Sequence, residues 1–404
     1  MHLHVVGLGS IGSFLAHHLR RALPSEHSIT LIHRTPSQAE RTLISGNIIR
    51  VERDGVVVPS TGYKVDAFQD IPPNSRAPPY SKRNWGDQMS FNTPIHSLFV
   101  TTKAHHALTA LRDLAPRLSP ESTIVLFQNG MGIYEELSTH VFRNAEQRPH
   151  FILASNTHGT YTKGFHQVVH TGPGNIEFGI VPNPSRNFEA NLSRPSASRV
   201  PNTLQLNDIT NPEDPDFMRY KSLRDTVAVL LLLDSLHTKW RSISEMHIIL
   251  RRKLVVNAVI NPLTALMGCR NGDILSSPAA ERLTSLICRE AYLAFKEEFQ
   301  ADANNWFDDL QKQGENVDDI HASRLPTSLT QSALEKDVQR VAYATKGNIS
   351  SMLSDVRLGR PTEIDWINGY LYKLGMKYDV WMPTNLSLIN LVKLRSHIPL
   401  DQQL

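Results

Sequence analysis

Three polar residues set in an apolar stretch are the sharpest chemical signal in this 404-residue sequence. Lys253, Asn257 and Asn261 recur at every fourth position, so on a helix they share one face. Between them stand Leu254, Val255, Val256, Ala258, Val259 and Ile260, all apolar. A helix of this kind is expected to be buried, and its polar face then needs partners or a cavity. A lysine that loses water there has a lowered pKa, which suits proton donation near neutral pH. The competing reading is a lysine that snorkels toward water, with two asparagines capping a helix end near Pro262.

A second signal opens the chain. Gly7-Leu8-Gly9-Ser10-Ile11-Gly12 follows a short strand-like run, His2 to Val6, and precedes Phe14, Leu15 and Leu19 at helical spacing. Strand, glycine turn and helix are the context in which this pattern binds a dinucleotide: glycines allow the tight turn, the close approach of a pyrophosphate and close helix packing. The phosphates then face the helix N-terminus. The next strand-like run ends Leu31-Ile32-His33-Arg34, with no Asp or Glu to take a ribose 2′-OH. Arg34 can pair instead with a 2′-phosphate, which favours NADP(H), or it is a solvated loop charge.

Three further positions lie where ligands of open α/β sheets bind, or at a helix start. Lys103 follows the strand-like Ser97 to Thr101, and Asn129 follows Ser122 to Phe127. Each is either a cofactor-side group or an ordinary strand-end polar residue. Near the C-terminus, Asn348-Ile-Ser350-Ser351 precedes Arg360-Pro361-Thr362-Glu363-Ile364-Asp365. Pro361 suits the first turn of a helix, which puts Glu363 and Asp365 near its positive end. Glu363 either flanks a cleft or is there for the helix dipole alone.

These residues need two kinds of scaffold. Strands alternate with a helix at Ala104 to Leu118 in the first part, which predicts a parallel sheet covered on both faces. After about Ser242 helical patterns dominate: Glu245 to Ala265, Ala279 to Phe299, Gln331 to Ala344 and Ile364 to Leu374. The expected fold is α/β, with an N-terminal Rossmann-like parallel-sheet domain over 1–241 and a C-terminal all-helical domain over 242–404. The cleft between two such domains is where active sites concentrate. Two stretches, 69–96 and 182–220, are rich in proline and polar residues and are expected to be mobile insertions.

Composition removes several classes. The 42 basic and 39 acidic residues are too balanced for nucleic-acid or membrane binding through bulk charge. The longest aliphatic run, Val227 to Leu233, is far short of the roughly 20 residues that span a bilayer. Two cysteines make no disulfide framework, and no carboxylate–histidine spacing suggests a metal site. The cytoplasm is the default location, with mitochondrial import by an internal signal left open.

Taken in order, these motifs resemble the ketopantoate reductase (2-dehydropantoate 2-reductase) family. The likeness rests on Gly-Leu-Gly-Ser-Ile-Gly at 7–12, Val-Thr-Thr-Lys at 100–103, Gln-Asn-Gly-Met-Gly at 128–132, the stretch from Arg252 to Ala265, and Asn348 to Gly369. It covers most of the chain. The two proline-rich stretches depart from the compact bacterial pattern, as does extra length around Asn304 to Arg324. The resemblance implies NADPH-dependent reduction of ketopantoate to pantoate, on the route to pantothenate and coenzyme A. It implies Lys253 as general acid and Glu363 as the carboxylate that binds the substrate hydroxyl and orients Lys253. Asn257, Asn261, Ser351 and Asn348 resemble substrate-binding groups. Gly7 to Gly12, Arg34, Lys103 and Asn129 resemble the cofactor side, and no metal is required.

Two alternatives stay open at this point. One is a reductase of the same fold acting on another small 2-keto acid. The other is a non-catalytic nucleotide-fold binding protein, which would be expected to lose Lys253 or Glu363; both are present. A homodimer is compatible with the apolar helix faces, which serve cores and interfaces alike.

Overall fold

The computed structural model describes residues 1–68, 93–193, 203–312 and 325–398. They form two compact units: Met1–Gln128 with Ile133–Met246, and Asn129–Gly132 with His247–Leu404. The fold class is the expected one, a parallel-sheet α/β unit followed by a helical unit.

Among its described residues the first unit contains twelve strands: β1 (His2–Val6), β2 (Ser28–His33), β3 (Ile49–Arg53), β4 (Val56–Ser60), β5 (Lys64–Ala67), β6 (Ile95–Val100), β7 (Leu118–Leu126), β8 (His150–Asn156), β9 (Gly159–Gly164), β10 (Gln167–Gly172), β11 (Ile176–Ile180) and β12 (Thr238–Trp240). Its helices are α1 (Ser10–Ala22), α2 (Pro36–Ile44), α3 (Ala104–Leu114), α4 (Ile133–His140), α5 (Leu206–Ile209) and α6 (Phe217–Leu231). The main sheet has the order β12-β11-β8-β7-β6-β1-β2-β5 and is parallel except at the β8–β11 pair. The order reverses between β1 and β6, and a crevice at such a reversal is where ligands of these sheets bind.

A second sheet, β4-β3-β10-β9, was not anticipated. Its presence explains the wide buried arc of α1, which packs against strands of both sheets. Phe14, Leu15, Ala16, His17 and Leu19 are all buried there. Burying a side chain such as Phe14 or Leu19 contributes about 1.5–3 kcal/mol. That outweighs the missing side-chain cap at Gly9.

Of the expected insertion 69–96, residues 69–92 lie outside the described residues, and Ile95 already begins β6. Of 182–220, residues 194–202 lie outside them. The described remainder carries more order than a loop: it includes α5 and the start of α6, and Arg186 forms an ion pair with Asp214 while covering the Tyr220 ring. The predicted helix Ala104 to Leu118 stops at Leu114, because Pro116 lies in a tight 3-10 turn that leads into β7.

The second unit is built from α7 (Ile243–Met267), α8 (Pro278–Lys312), α9 (Gln331–Ala344), α10 (Ser351–Arg357), α11 (Asn368–Lys377) and α12 (Pro383–His397). Residues 313–324 lie outside the described residues. Leu254, Val255, Val259, Ile287, Phe295, Leu334, Val338 and Leu371 form its core. Helix α11 starts later than the sequence pattern predicts. Pro361 lies outside any helix, Ile364–Trp366 is a 3-10 turn, and Ile367 (φ −106°, ψ −88°) interrupts the chain before Asn368. Glu363 and Asp365 therefore sit on a separate turn, not in the first turn of α11. No helix among the described residues is long and apolar enough to cross a membrane.

Candidate functional site

In the first unit the glycine turn is held by the protein at two of its three glycines. Gly7 has φ +94°, and a Cβ there would fall 2.6 Å from the Thr101 carbonyl carbon and 2.7 Å from Thr102 Cα. A Cβ on Gly12 would strike the Gly7 carbonyl and lie 2.5 Å from Thr101 Oγ1. The Thr101 hydroxyl in turn lies 2.9 Å from the Val6 carbonyl and 2.8 Å from the Gly7 carbonyl, and shares its one proton between them. Gly9 is different. Its φ of −77° suits any residue, and a Cβ there meets nothing within 4 Å. Neither strain nor packing explains glycine at that position. An open space over an uncapped helix N-terminus fits the phosphates of a dinucleotide, so these residues are suited to hold one.

Leu8, Ser10 and Ile11 complete this turn and the start of α1. Arg34, at the end of β2, is exposed and lines a pocket of about 570 Å³ that also contains Gly7, Leu8, Gln38, Arg41 and His106. Desolvation lowers the His106 pKa, and the charge of Arg34 lowers it further. Lys103 caps α3, and its carbonyl accepts from the amides of His106 (2.9 Å) and Ala107 (3.2 Å).

In the second unit α7 carries three consecutive cations, each matched by a different carboxylate. Arg251 meets Glu298 (Nη2–Oε2 2.8 Å), and Arg252 grips Asp337 at both oxygens (2.7 and 2.9 Å). Burial pulls Lys253 down to about 8, and the carboxylate of Glu363 acts in the opposite direction. Glu363 is 4% exposed and accepts from Asn129 Nδ2 at 3.4 Å. The loop Asn129–Gly132 is seated on the Glu363 turn: the Met131 amide donates to the Trp366 carbonyl (3.1 Å). A Cβ on Gly130 (φ +84°) would fall 2.7 Å from the Trp366 carbonyl carbon, so the approach requires glycine. Lys253, Glu363 and Asn129 are thus brought together.

Asn257 is half-buried and Asn261 is 7% exposed, both on α7. Pro262 stands inside that helix, and with no N–H it leaves the Ala258 carbonyl without its usual partner. Asn368 Nδ2 supplies the missing bond at 2.9 Å. Asn368 also donates to Asn385 Oδ1 (3.0 Å), and Asn385 Nδ2 donates to Glu290 (2.8 Å). One buried network therefore ties the orphaned carbonyl before Pro262 to the starts of α11 and α12. Thr264 donates to Ser350 Oγ (2.7 Å), which also caps α10 by accepting from the Leu353 amide (3.1 Å). Ser351, the exposed first residue of α10, is placed by that contact. Asn348 is half-buried, and its carbonyl accepts from the Asn271 amide (3.0 Å).

Sequence reasoning missed Asn368 and the pocket residues Arg41, Phe165 and His166. A helix-internal proline announces an orphan carbonyl, so a donor near Ala258 was foreseeable in kind. Nothing local marks the other three, because they come from α2 and from the turn of the second sheet.

Comparisons with known proteins identify the family. The family model described as "Ketopantoate reductase PanE/ApbA" matches residues 3–183, and "Ketopantoate reductase PanE/ApbA C terminal" matches 246–396. The chain is 26% identical over 397 residues to the 2-dehydropantoate 2-reductase of Vibrio cholerae, covering 97% of each chain. It is 31% identical over 301 residues to the 2-dehydropantoate 2-reductase of Salmonella typhimurium, covering 73% of each. Among solved structures, D-mandelate dehydrogenase with NADH and anilino(oxo)acetate has a similar fold, with TM-score 0.65, 16% identity and 98% of each chain covered. By these matches the chain belongs to the ketopantoate reductase family of oxidoreductases.

Proposed function

We propose that this protein reduces the C2 ketone of 2-dehydropantoate to the alcohol of pantoate with NADPH, a step toward pantothenate and coenzyme A. The observation that carries the reading is the half-buried Lys253 of the apolar helix α7, with the buried carboxylate of Glu363 acting on it and desolvation pulling the ammonium down to about 8. When bound, the reduced nicotinamide supplies the hydride. Lys253, as the ammonium, donates a proton to the substrate oxygen and stabilises the negative charge that develops there. Its lowered pKa makes the proton easier to give than that of an ordinary lysine, while it stays largely protonated at neutral pH. Glu363 holds the ammonium in place and accepts from the substrate's terminal hydroxyl. Asn257, Asn261, Ser351 and Asn348 offer amide and hydroxyl groups to the carboxylate and hydroxyl of a small 2-keto acid. Gly9 and the start of α1 take the pyrophosphate, Arg34 takes the 2′-phosphate, and Lys103 and Asn129 serve the cofactor side.

Lys253→Ala tests the assignment. The variant should lose about a hundredfold or more in kcat, the range of a general acid. NADPH binding, followed by calorimetry, should stay close to wild type. Weakened NADPH binding with turnover intact would contradict the role. The fold is shared with a D-mandelate dehydrogenase, so a second reading, another 2-keto acid, is tested in the same assay. Turnover with other keto acids but not with ketopantoate would establish it.

A further inference from the structure

The pocket beside Arg34 has a wall that the glycine turn does not supply. Arg41, on α2, places its guanidinium carbon 4.3 Å from the centroid of the Phe165 ring. Phe165 lies in the turn between β9 and β10 of the second sheet, next to His166. That turn is fastened to α2 by a buried bridge. Thr42 Oγ1 lies 2.8 Å from His166 Nε2 and 2.9 Å from His33 Nε2. One hydroxyl donates once, and the Gln38 carbonyl also lies 3.3 Å from it, so at least one of these two imidazoles donates to Thr42. His166 is 5% exposed, and its Nδ1 has no partner among the described residues.

Arg34, Arg41, His33, His106, Phe165 and His166 all line this pocket, and among the described residues no Asp or Glu does. Its volume of about 570 Å³ suits a nucleoside-sized ligand. A guanidinium stacked on a ring keeps its N–H edge in a fixed direction, so it loses little entropy when it grips an oxyanion. Two guanidinium groups in a pocket without a carboxylate select a doubly charged group over a neutral hydroxyl.

We propose that Arg41, positioned by Phe165, is a second specificity-determining residue for the ribose 2′-phosphate, acting beside Arg34. The inference rests on reading this pocket as the adenosine end of the dinucleotide site. It makes the turn of the second sheet part of cofactor selection. Phe165 is a positioning residue in this arrangement: it acts through Arg41.

The test is calorimetric binding of NADPH, NADH, adenosine 2′,5′-bisphosphate and ADP to the full chain, with thermal melting as the folding control. Arg41 is exposed, so Arg41→Gln and Arg41→Lys should fold. Arg41→Gln should weaken NADPH and the bisphosphate by about tenfold, the order of one charge-assisted contact, and leave NADH within about twofold. Phe165→Leu should reproduce part of that loss, and Phe165→Tyr, which keeps the ring face, should restore wild-type selectivity. If wild type prefers the bisphosphate and Arg41→Gln keeps that preference, Arg41 is a solvated charge: the inference is overturned and Arg34 stands alone. An equal loss for NADH overturns selectivity as its role. Wild-type selectivity in Phe165→Leu overturns the positioning. A wild type that does not distinguish the phosphorylated ligands overturns the NADPH reading itself, and the inference with it.

Discussion

Gly9→Ala asks whether the turn before α1 is shaped for the protein or for a ligand. The added methyl meets no protein atom within 4 Å, and φ −77° is ordinary for alanine. The stability cost is that of alanine at a helix N-cap, about 0.5–1 kcal/mol relative to glycine. For a unit of this size 1 kcal/mol moves Tm by roughly 2–4 °C, so the variant without ligand should melt within a few degrees of wild type. The bound state should respond differently. At NADPH a hundredfold above Kd, binding adds about 2.7 kcal/mol to the wild type. That corresponds to a Tm rise of roughly 5–11 °C. If the methyl group displaces the pyrophosphate and raises Kd about a hundredfold, the remaining gain is about 0.4 kcal/mol, a rise of about 1 °C. Scanning calorimetry of both proteins, with and without NADPH, reads the difference. Gly7→Ala is the contrasting control: its φ of +94° and its overlap with Thr101 and Thr102 should lower Tm with no ligand present. A ligand-induced rise in Gly9→Ala equal to that of wild type refutes the reasoning. So does a Gly9→Ala protein that melts as low as Gly7→Ala.

Three other outcomes follow from the same structure. If Lys253 is the general acid proposed above it must be protonated to act, so kcat for reduction should fall by about tenfold per pH unit above about 8, and a rate flat to pH about 10 would remove it as the acid. Asn368→Ala leaves the Ala258 carbonyl and Asn385 short of a donor in the interior and should lower stability by about 2–3 kcal/mol in urea; a loss under about 0.5 kcal/mol would mean that another group satisfies the orphaned carbonyl before Pro262. Burial holds His4, His18 and His33 down to about 3 and His17, His150 and His166 down to about 4. The unfolded chain takes up these protons near pH 6.5 and the folded chain does not, so stability present above about 6.5 is lost as pH falls toward 4. Urea midpoints that stay constant between pH about 7 and about 5 would contradict it.

What was legible in the sequence was local. The run His2–Val6, the glycine turn and the helix at Ser10 each follow from residues within a few positions of one another. Helix α9, Gln331–Ala344, has the bounds that the sequence predicts, because its apolar spacing is regular, Gln331-Ser332 opens it and Thr345-Lys346-Gly347 follows it. The second sheet was hidden because its pairings are distant: β10 joins β3 through Gln167↔Arg50 and Val168↔Val51. Strand β9, Gly159–Gly164, is short and polar, and it has no alternation that a pattern would detect. The pocket wall at Phe165 was hidden for the same reason. The start of α11 was misplaced because Pro361 and the acidic residues after it fit a helix start. The chain instead spends that segment on a turn that faces Glu363 toward Asn129.

The three cations of α7 show why Lys253, and not its neighbours, is suited to the chemistry. Successive helix positions point about 100° apart, so Arg251, Arg252 and Lys253 reach different surroundings. Arg251 and Arg252 meet their carboxylates at salt-bridge distance, and a guanidinium keeps its charge at any working pH. They can anchor α7 to α8 and α9 but cannot exchange a proton. Lys253 is desolvated by the same packing, and its partner Glu363 also accepts from Asn129, so the carboxylate is shared. Desolvation outweighs the opposing charge of Glu363, which leaves the lysine at about 8 and its proton available. Strengthening that pair should therefore work against catalysis. Asn129→Leu would remove that hydrogen bond from Glu363, and the alkaline limb of the kcat profile should move upward in pH while the maximal rate falls. A limb that stays in place would mean that the Asn129 bond to Glu363 does not tune the lysine, and that Asn129 serves only the cofactor side.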